Sequence, residues 1–259
     1  MAPTGRVFHP MDALLQPNEL GHNDRVLRRV LGYSEAYKGD IFNRKNIPAD
    51  IDDDMNVSVF LTNLPREYDE ESLLAALLPH RPFDRIYATS VTPPGDNHDG
   101  SSAKIITFTR DGAERLLNFV NAGKLVIEGR VVRGRWNQIK TPAPGGAHYL
   151  SRVLLIEVSQ DVLNETKIRE LLQANIVCQT GKITIKQVKN NDHITIELPF
   201  CSYRAQAEAF RLLLAAEYPE AKVRFGVDPL AVGGKGVGRE SAGDKWAALG
   251  SWRRGQGQC

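Results

Sequence analysis

The chain has 259 residues, 42% of them hydrophobic and 25% charged, with a net charge of +2. That is enough apolar content to bury a core in two small domains or one larger one, and too little charge for a protein that coats DNA or wraps a polyanion. Its three cysteines, Cys178, Cys201 and Cys259, are far apart and form no Cys-x-x-Cys pair. A reduced, intracellular protein with no disulfide framework and no zinc site is expected. No apolar run reaches the ~18 residues of a membrane span, so no membrane contact is expected, and the N-terminal MAPTGRVFHPMDALL has no secretory apolar core.

Residues 1–55 read as a leader. Asn23-Asp24-Arg25 can cap a short helix with Val26, Leu27, Val30 and Leu31 as its apolar stripe and Gly32 as its stop. The acidic run ADIDDD, ending at Asp54, reads as a solvated spacer.

Residues 56–140 read strand, helix, strand, strand, helix, strand. VSVFLTNLP, from Val57 to Pro65, places Val57, Val59 and Leu61 on one face and Ser58, Phe60 and Thr62 on the other. A helix with an Asp cap runs from about Glu70 to Leu78, with Leu73, Leu74, Leu77 and Leu78 inward. Arg85–Val91 is a second strand, PPGDNHDG a loop, and Ser101–Phe108 a third strand. Asp111 opens a helix with Ala113, Leu116, Leu117 and Val120 inward and Gly123 at its C-cap, and Val131–Asn137 is the fourth strand. This order packs two helices on one face of an antiparallel sheet and leaves the other face free.

Residues 139–149, IKTPAPGGAHY, form a linker. The same order then recurs over 151–228, with a strand at Arg152–Val158, a helix capped by Asn164, strands at Lys182–Lys189 and His193–Leu198, a helix from Ser202 to Glu217 and a last strand at Lys222–Val227. Two copies of one unit at a period of roughly 95 residues is a strong organisational signal. The domains are therefore a leader (1–55), a first unit (56–140), a linker (141–150), a second unit (151–228) and a Gly-rich basic tail (229–259) expected to be disordered. GGKGVG, from Gly233, lacks the spacing and the Lys-Ser/Thr ending of a phosphate loop and is set aside.

The hexamer Val59-Phe60-Leu61-Thr62-Asn63-Leu64 resembles the opening strand of an RNA recognition motif, or RRM, at every position. The resemblance implies an α+β chain of two ferredoxin-like βαββαβ domains, each an antiparallel four-stranded sheet backed by two helices. It implies single-stranded RNA as partner, held on the open sheet face with Phe60 stacked on a base, and a nuclear or nucleo-cytoplasmic place in mRNA processing or transport. The family octamer on the third strand is basic-Gly-aromatic-Gly-aromatic-aliphatic-x-aromatic. Aligned on Phe108, it puts Ala103 and Ile105 where the two RNA-facing aromatics belong, and Ile106 and Phe108 on the core side. Two lost stacks remove several kcal/mol, at about 1–3 kcal/mol each. Tyr87 and Trp136 are candidates to compensate, but a one-residue change of register turns either into the core.

Lys124, Arg130, Arg133, Arg135 and Lys140 cluster near the fourth strand against Glu128 alone. By period 2, Arg133 and Arg135 lie opposite Val132 and so on the open face, within reach of phosphates and bases; the bland alternative is a charged strand edge that resists aggregation. The candidate RNA site is Phe60, Thr62, Asn63, Tyr87, Ala103, Ile105, Arg133, Arg135, Trp136 and Asn137. The acidic run at Asp50–Asp54 has a sharper alternative here, as a flap competing with RNA for the basic residues.

The second repeat carries Leu154, His193 and Thr195 at the stacking places, with Lys186, Arg152 and Arg224 available to phosphate. It reads as a structural or protein-binding RRM. The chain also resembles a group of fungal tandem-RRM proteins through FNRKNIP (Phe42–Pro48), GAERLL (Gly112–Leu117) and VRFGVDP (Val223–Pro229). The alternative function is a protein-interaction module with the RRMs as scaffold. Proteins would then bind through the second RRM, through the acidic first helix (Glu67, Asp69, Glu70, Glu71) or through the tail at Lys245-Trp246. No catalytic constellation, cofactor site or metal site is expected: His80, His98 and His148 all fall in loops.

Overall fold

The structure is a computed structural model that describes residues 28–31, 33, 41, 47–94, 99–145, 148–176, 178–187 and 193–231. The first unit holds β1 (Ser58–Leu64), α1 (Glu70–Leu77), β2 (Ile86–Thr92), β3 (Ser101–Thr107), α2 (Arg110–Asn121), a small hairpin of β4 (Val126–Ile127) and β5 (Arg130–Val131), and β6 (Arg133–Trp136). The second holds β7 (Val153–Ser159), α3 (Glu165–Asn175), β8 (Thr184–Gln187), β9 (His193–Pro199), α4 (Glu208–Glu217) and β10 (Lys222–Phe225). Two four-stranded antiparallel sheets result, in the orders β2-β3-β1-β6 and β10-β7-β9-β8.

Local rules account for most element starts. The Asp69 carboxylate accepts from the Ser72 N–H at 2.8 Å to begin α1, and the Asn164 side chain accepts from Lys167 N–H to begin α3. α2 begins one residue before the expected Asp111. Its cap is Thr109, whose hydroxyl accepts from Gly112 N–H and donates to Asp84 at 2.6 Å. Leu78 leaves α1 for a short 3₁₀ turn and is exposed rather than inward. The expected fourth strand is broken: Glu128 and Gly129 turn a hairpin at φ 50° and 76°, and only four residues of β6 join the sheet.

The two units are locked together, which composition did not foretell. Arg152 pairs with Asp228 at 3.1 Å in a buried ion pair, and Asp228 also accepts the Ile86 N–H of β2 at 2.9 Å. Arg152 is therefore not on a surface open to phosphate. Leu230, expected in a disordered tail, is fully buried in the core of the first unit, and its carbonyl accepts from Phe83 N–H. Cys201 joins the same core, and burial pushes its thiol up to about 12. Gln179 of the second unit accepts from the Glu70 and Glu71 N–H groups at the start of α1. The linker is docked as well: Val57 N–H donates to Thr141, and Arg85 donates to the His148 and Leu150 carbonyls.

The start of the last helix shows the same influence. Ser202 was expected to open it, yet Tyr203–Ala207 forms a kinked π-turn with Ala205 at φ 62°, and the regular helix begins at Glu208. Ser202 is occupied elsewhere. Its hydroxyl accepts from Thr89 N–H at 2.8 Å and donates to Thr89 O at 3.2 Å, on the free edge of β2.

In the leader, Arg28 is buried, while Val30 is 76% exposed and Leu31 is exposed too. The expected apolar stripe therefore does not face inward at those two positions. Its other members, Val26 and Leu27, lie outside the described residues, as do the expected stop Gly32 and Trp246 of the tail.

Candidate nucleic-acid interface

Strand register decides which side chains share a face, because directly paired residues point the same way. Val59 lies opposite Ile105 and Trp136, and Leu61 opposite Ala103 and Gly134. All of these point at the helices. Phe60 lies opposite Lys104 on one side and Arg135 on the other, and Thr62 opposite Arg133. These point to the open face. Phe60 is half-buried, Arg133 and Arg135 are exposed, and the Arg135 guanidinium sits 5.1 Å from the Phe60 ring centre. Ser90 of β2 continues the row beyond Lys104.

Gly134 makes this spacing possible. A Cβ there would meet Leu117 at 2.9 Å, so α2 packs directly on β6 while the flanking arginines turn outward. Among the described residues, Lys104, Arg133 and Arg135 pair with no carboxylate. Burial lowers the Lys104 pKa, and the charge of Arg204 lowers it further. A half-exposed ring flanked by unpaired cations can stack a base and hold the phosphates beside it.

Of the ten residues expected at the site, Phe60, Thr62, Arg133 and Arg135 come together on this face. Ala103 and Ile105 do not: both are buried in the core with Val59 and Leu61. The octamer aligned on Phe108 was one residue out of phase. Ser102 and Lys104 hold the open-face places, and Ile106, opposite Ser58, lies on that face too. Phe108 is not a helix-side core residue; it packs against Tyr87 and Tyr203 at 5.5 Å each, beneath the Arg85 guanidinium.

Tyr87 is covered by the same contact, 5.8 Å from the Tyr203 ring of the second unit. Trp136 faces the helices, with Arg110 stacked 3.6 Å above it. Asn63 stands at φ 67° in a bulge of β1 and donates to Val131 O, tying the strand to the hairpin. Asn137 is buried and donates to the Ser58 hydroxyl. Lys104 was the residue that sequence reasoning missed. Its signal was present in the alternation of Ser102 and Lys104 with Ala103 and Ile105.

The acidic run does not reach the platform through Asp53. Asp53 pairs with Lys140 at 2.8 Å, which lowers its pKa, and its carbonyl accepts from Arg110.

The second sheet has a different surface. Leu155 takes the place of Phe60, Glu197 that of Lys104, and Arg224 that of Arg135. Leu154, expected on the open face, is in the core; His193 and Thr195 are on the open side, opposite Ser159 and Glu157. Lys186 lies 3.6 Å from Glu197. Among the described residues no cluster of His, Cys, Asp or Glu could hold a metal, and no helix is long and apolar enough to cross a membrane.

No family model and no curated protein matches the chain. Among solved structures it is similar to RNA recognition domains 1 and 2 of Sex-lethal from Drosophila melanogaster, at 11% identity over 66% of this chain and 99% of that one, with a TM-score of 0.26. It is similar to the first two RRM domains of the yeast poly(U) binding protein, at 13% identity over 66% and 99%, TM-score 0.27. It is also similar to the N-terminal three RNA binding domains of the yeast splicing factor Prp24, at 16% identity over 66% and 64%, TM-score 0.28. The connectivity and strand order of its own two units, each with two helices on one face of the sheet, are those of RNA recognition motifs in tandem.

Proposed function

We propose that the chain is an RNA-binding protein of mRNA processing or transport that holds a short single-stranded segment on the sheet of its first unit. Phe60 stacks on a base, and Arg135, Arg133 and Lys104 hold the backbone on either side. One observation carries this reading: Phe60 stands on the open face between Lys104 and Arg135, with no aromatic ring against it among the described residues. Single strands are the fitting partner because their bases can leave a stack and lie on a ring, and because phosphates follow at short intervals.

Filter binding of the full chain to a pool of single-stranded RNA tests it. Phe60→Ala is expected to lose about 1–3 kcal/mol, or roughly 5- to 150-fold in affinity. Its unfolding midpoint is expected to change little, because the ring is half-exposed. Equal binding by wild type and variant at moderate salt would end this reading.

A second reading is favoured for the second unit alone. Leu155 stands between Glu197 and Arg224, with Glu157 opposite Lys222, an apolar centre among charges of both signs, a surface suited to a protein rather than to phosphates. The acidic start of α1 is less available for that role, since Asp69 caps the helix, Glu70 accepts from Val91 N–H and Gln179 covers the first turn.

A further inference from the structure

The second unit delivers one cation to the edge of the first unit's platform. Ser202 is bonded in both directions to Thr89 on β2. Tyr203 lies on Tyr87 and Phe108. Arg204 follows with an extended ψ of 133°, and Ala205 then turns at φ 62°, so Arg204 is carried outward instead of being wound into the helix. Ser90, the neighbour of Thr89, lies opposite Lys104. The chain therefore brings Arg204 out next to the Lys104 row, at the seam between the units.

Two cations set side by side repel each other, and a left-handed alanine costs on the order of 1 kcal/mol. The fold bears both. Neither Lys104 nor Arg204 pairs with a carboxylate among the described residues. Arg204 is exposed and Lys104 is half-buried, and the charge of Arg204 is felt at Lys104. Both charges are thus left to an anion from outside the chain.

We infer that Lys104 and Arg204 form a phosphate site at the seam of the two units, taking one phosphodiester of the strand whose base lies on Phe60. This rests on the reading of Phe60 given above and adds a contribution that neither unit makes alone. The strand would run from Arg133 and Arg135 across Phe60 to the seam. It would not continue over the second sheet, where Glu197 stands in the position of Lys104.

The test is filter binding of the full chain to single-stranded RNA between about 50 and 200 mM salt, where each phosphate contact adds about 0.7 to the slope of log affinity on log salt. Arg204→Ala is expected to lower that slope by ~0.7 and to weaken binding about fivefold at 0.1 M salt. Arg204→Lys should restore most of the loss, and Lys104→Gln should reproduce it. Arg224→Ala, on the second sheet, should behave as wild type. If Arg204→Ala keeps wild-type affinity and slope while Phe60→Ala weakens binding, the seam site is wrong and the Phe60 reading stands. If Arg224→Ala matches Arg204→Ala, the effect is general charge and the seam site is again wrong. If the wild-type chain binds no RNA, both fall together.

Discussion

Asp228→Ala is expected to destabilise the chain by about 3–5 kcal/mol, the usual cost of leaving one member of a buried ion pair without its partner. The Asp228 side chain is wholly buried. Its two oxygens accept from Arg152 Nε at 3.1 and 3.2 Å, from Ile86 N–H at 2.9 Å and from Leu230 N–H at 3.0 Å. Removing them leaves the Phe200 carbonyl as the remaining partner of the Arg152 guanidinium among the described residues and strips an acceptor from the edge of β2. Asp228→Asn keeps the shape and one acceptor, so a smaller loss is expected. Urea denaturation followed by intrinsic fluorescence checks both. Because the carboxylate joins the end of one unit to the first residue of β2 in the other, the wild type should unfold in one transition and Asp228→Ala in two. A loss under ~1 kcal/mol with a single transition would show that the contact contributes little.

Ile105→Ala is the second large effect, at about 2–5 kcal/mol of stability. The side chain is fully buried against Val59 and Thr89 partners on the helix-facing side of the sheet. RNA affinity of the folded protein should not change, measured well below the denaturation midpoint. Lys104, its immediate neighbour, has the opposite profile: substitution there should spare stability and weaken binding. The pair distinguishes the two possible registers of β3. If Ile105→Ala spares stability and weakens RNA binding, the side chains of this strand are assigned to the wrong faces.

These two positions show what the sequence could and could not convey. The alternation in VSVFLTNLP was enough to place Phe60 opposite Val59 and Leu61, and period 2 alone turned Arg133 and Arg135 outward. Asp69 and Asn164 announced their helices because capping is a local interaction. Errors arose where a distant contact settled the outcome. Alignment on Phe108 sets the expected phase of β3, but Phe108 is held by Tyr203 and Arg85 outside the helix-facing core. Trp136 needed no distant contact: with Arg133 and Arg135 outward the same alternation turns it inward with Val59, where Arg110 from α2 covers it. Ser202 is expected to open the last helix, and its hydroxyl goes instead to Thr89 in the other unit. Asp228 and Leu230 lie at the edge of a Gly-rich stretch whose average composition concealed two buried side chains.

On the proposed function, RNA is expected on the ring of Phe60 and not on the second sheet. Ultraviolet crosslinking of the full chain to a uridine-containing single strand, followed by mass spectrometry of the peptides, tests it most directly. Adducts are expected on the β1 peptide that carries Phe60 and lost in Phe60→Ala. Adducts confined to β7 or β9, with β1 unmodified, would contradict the account.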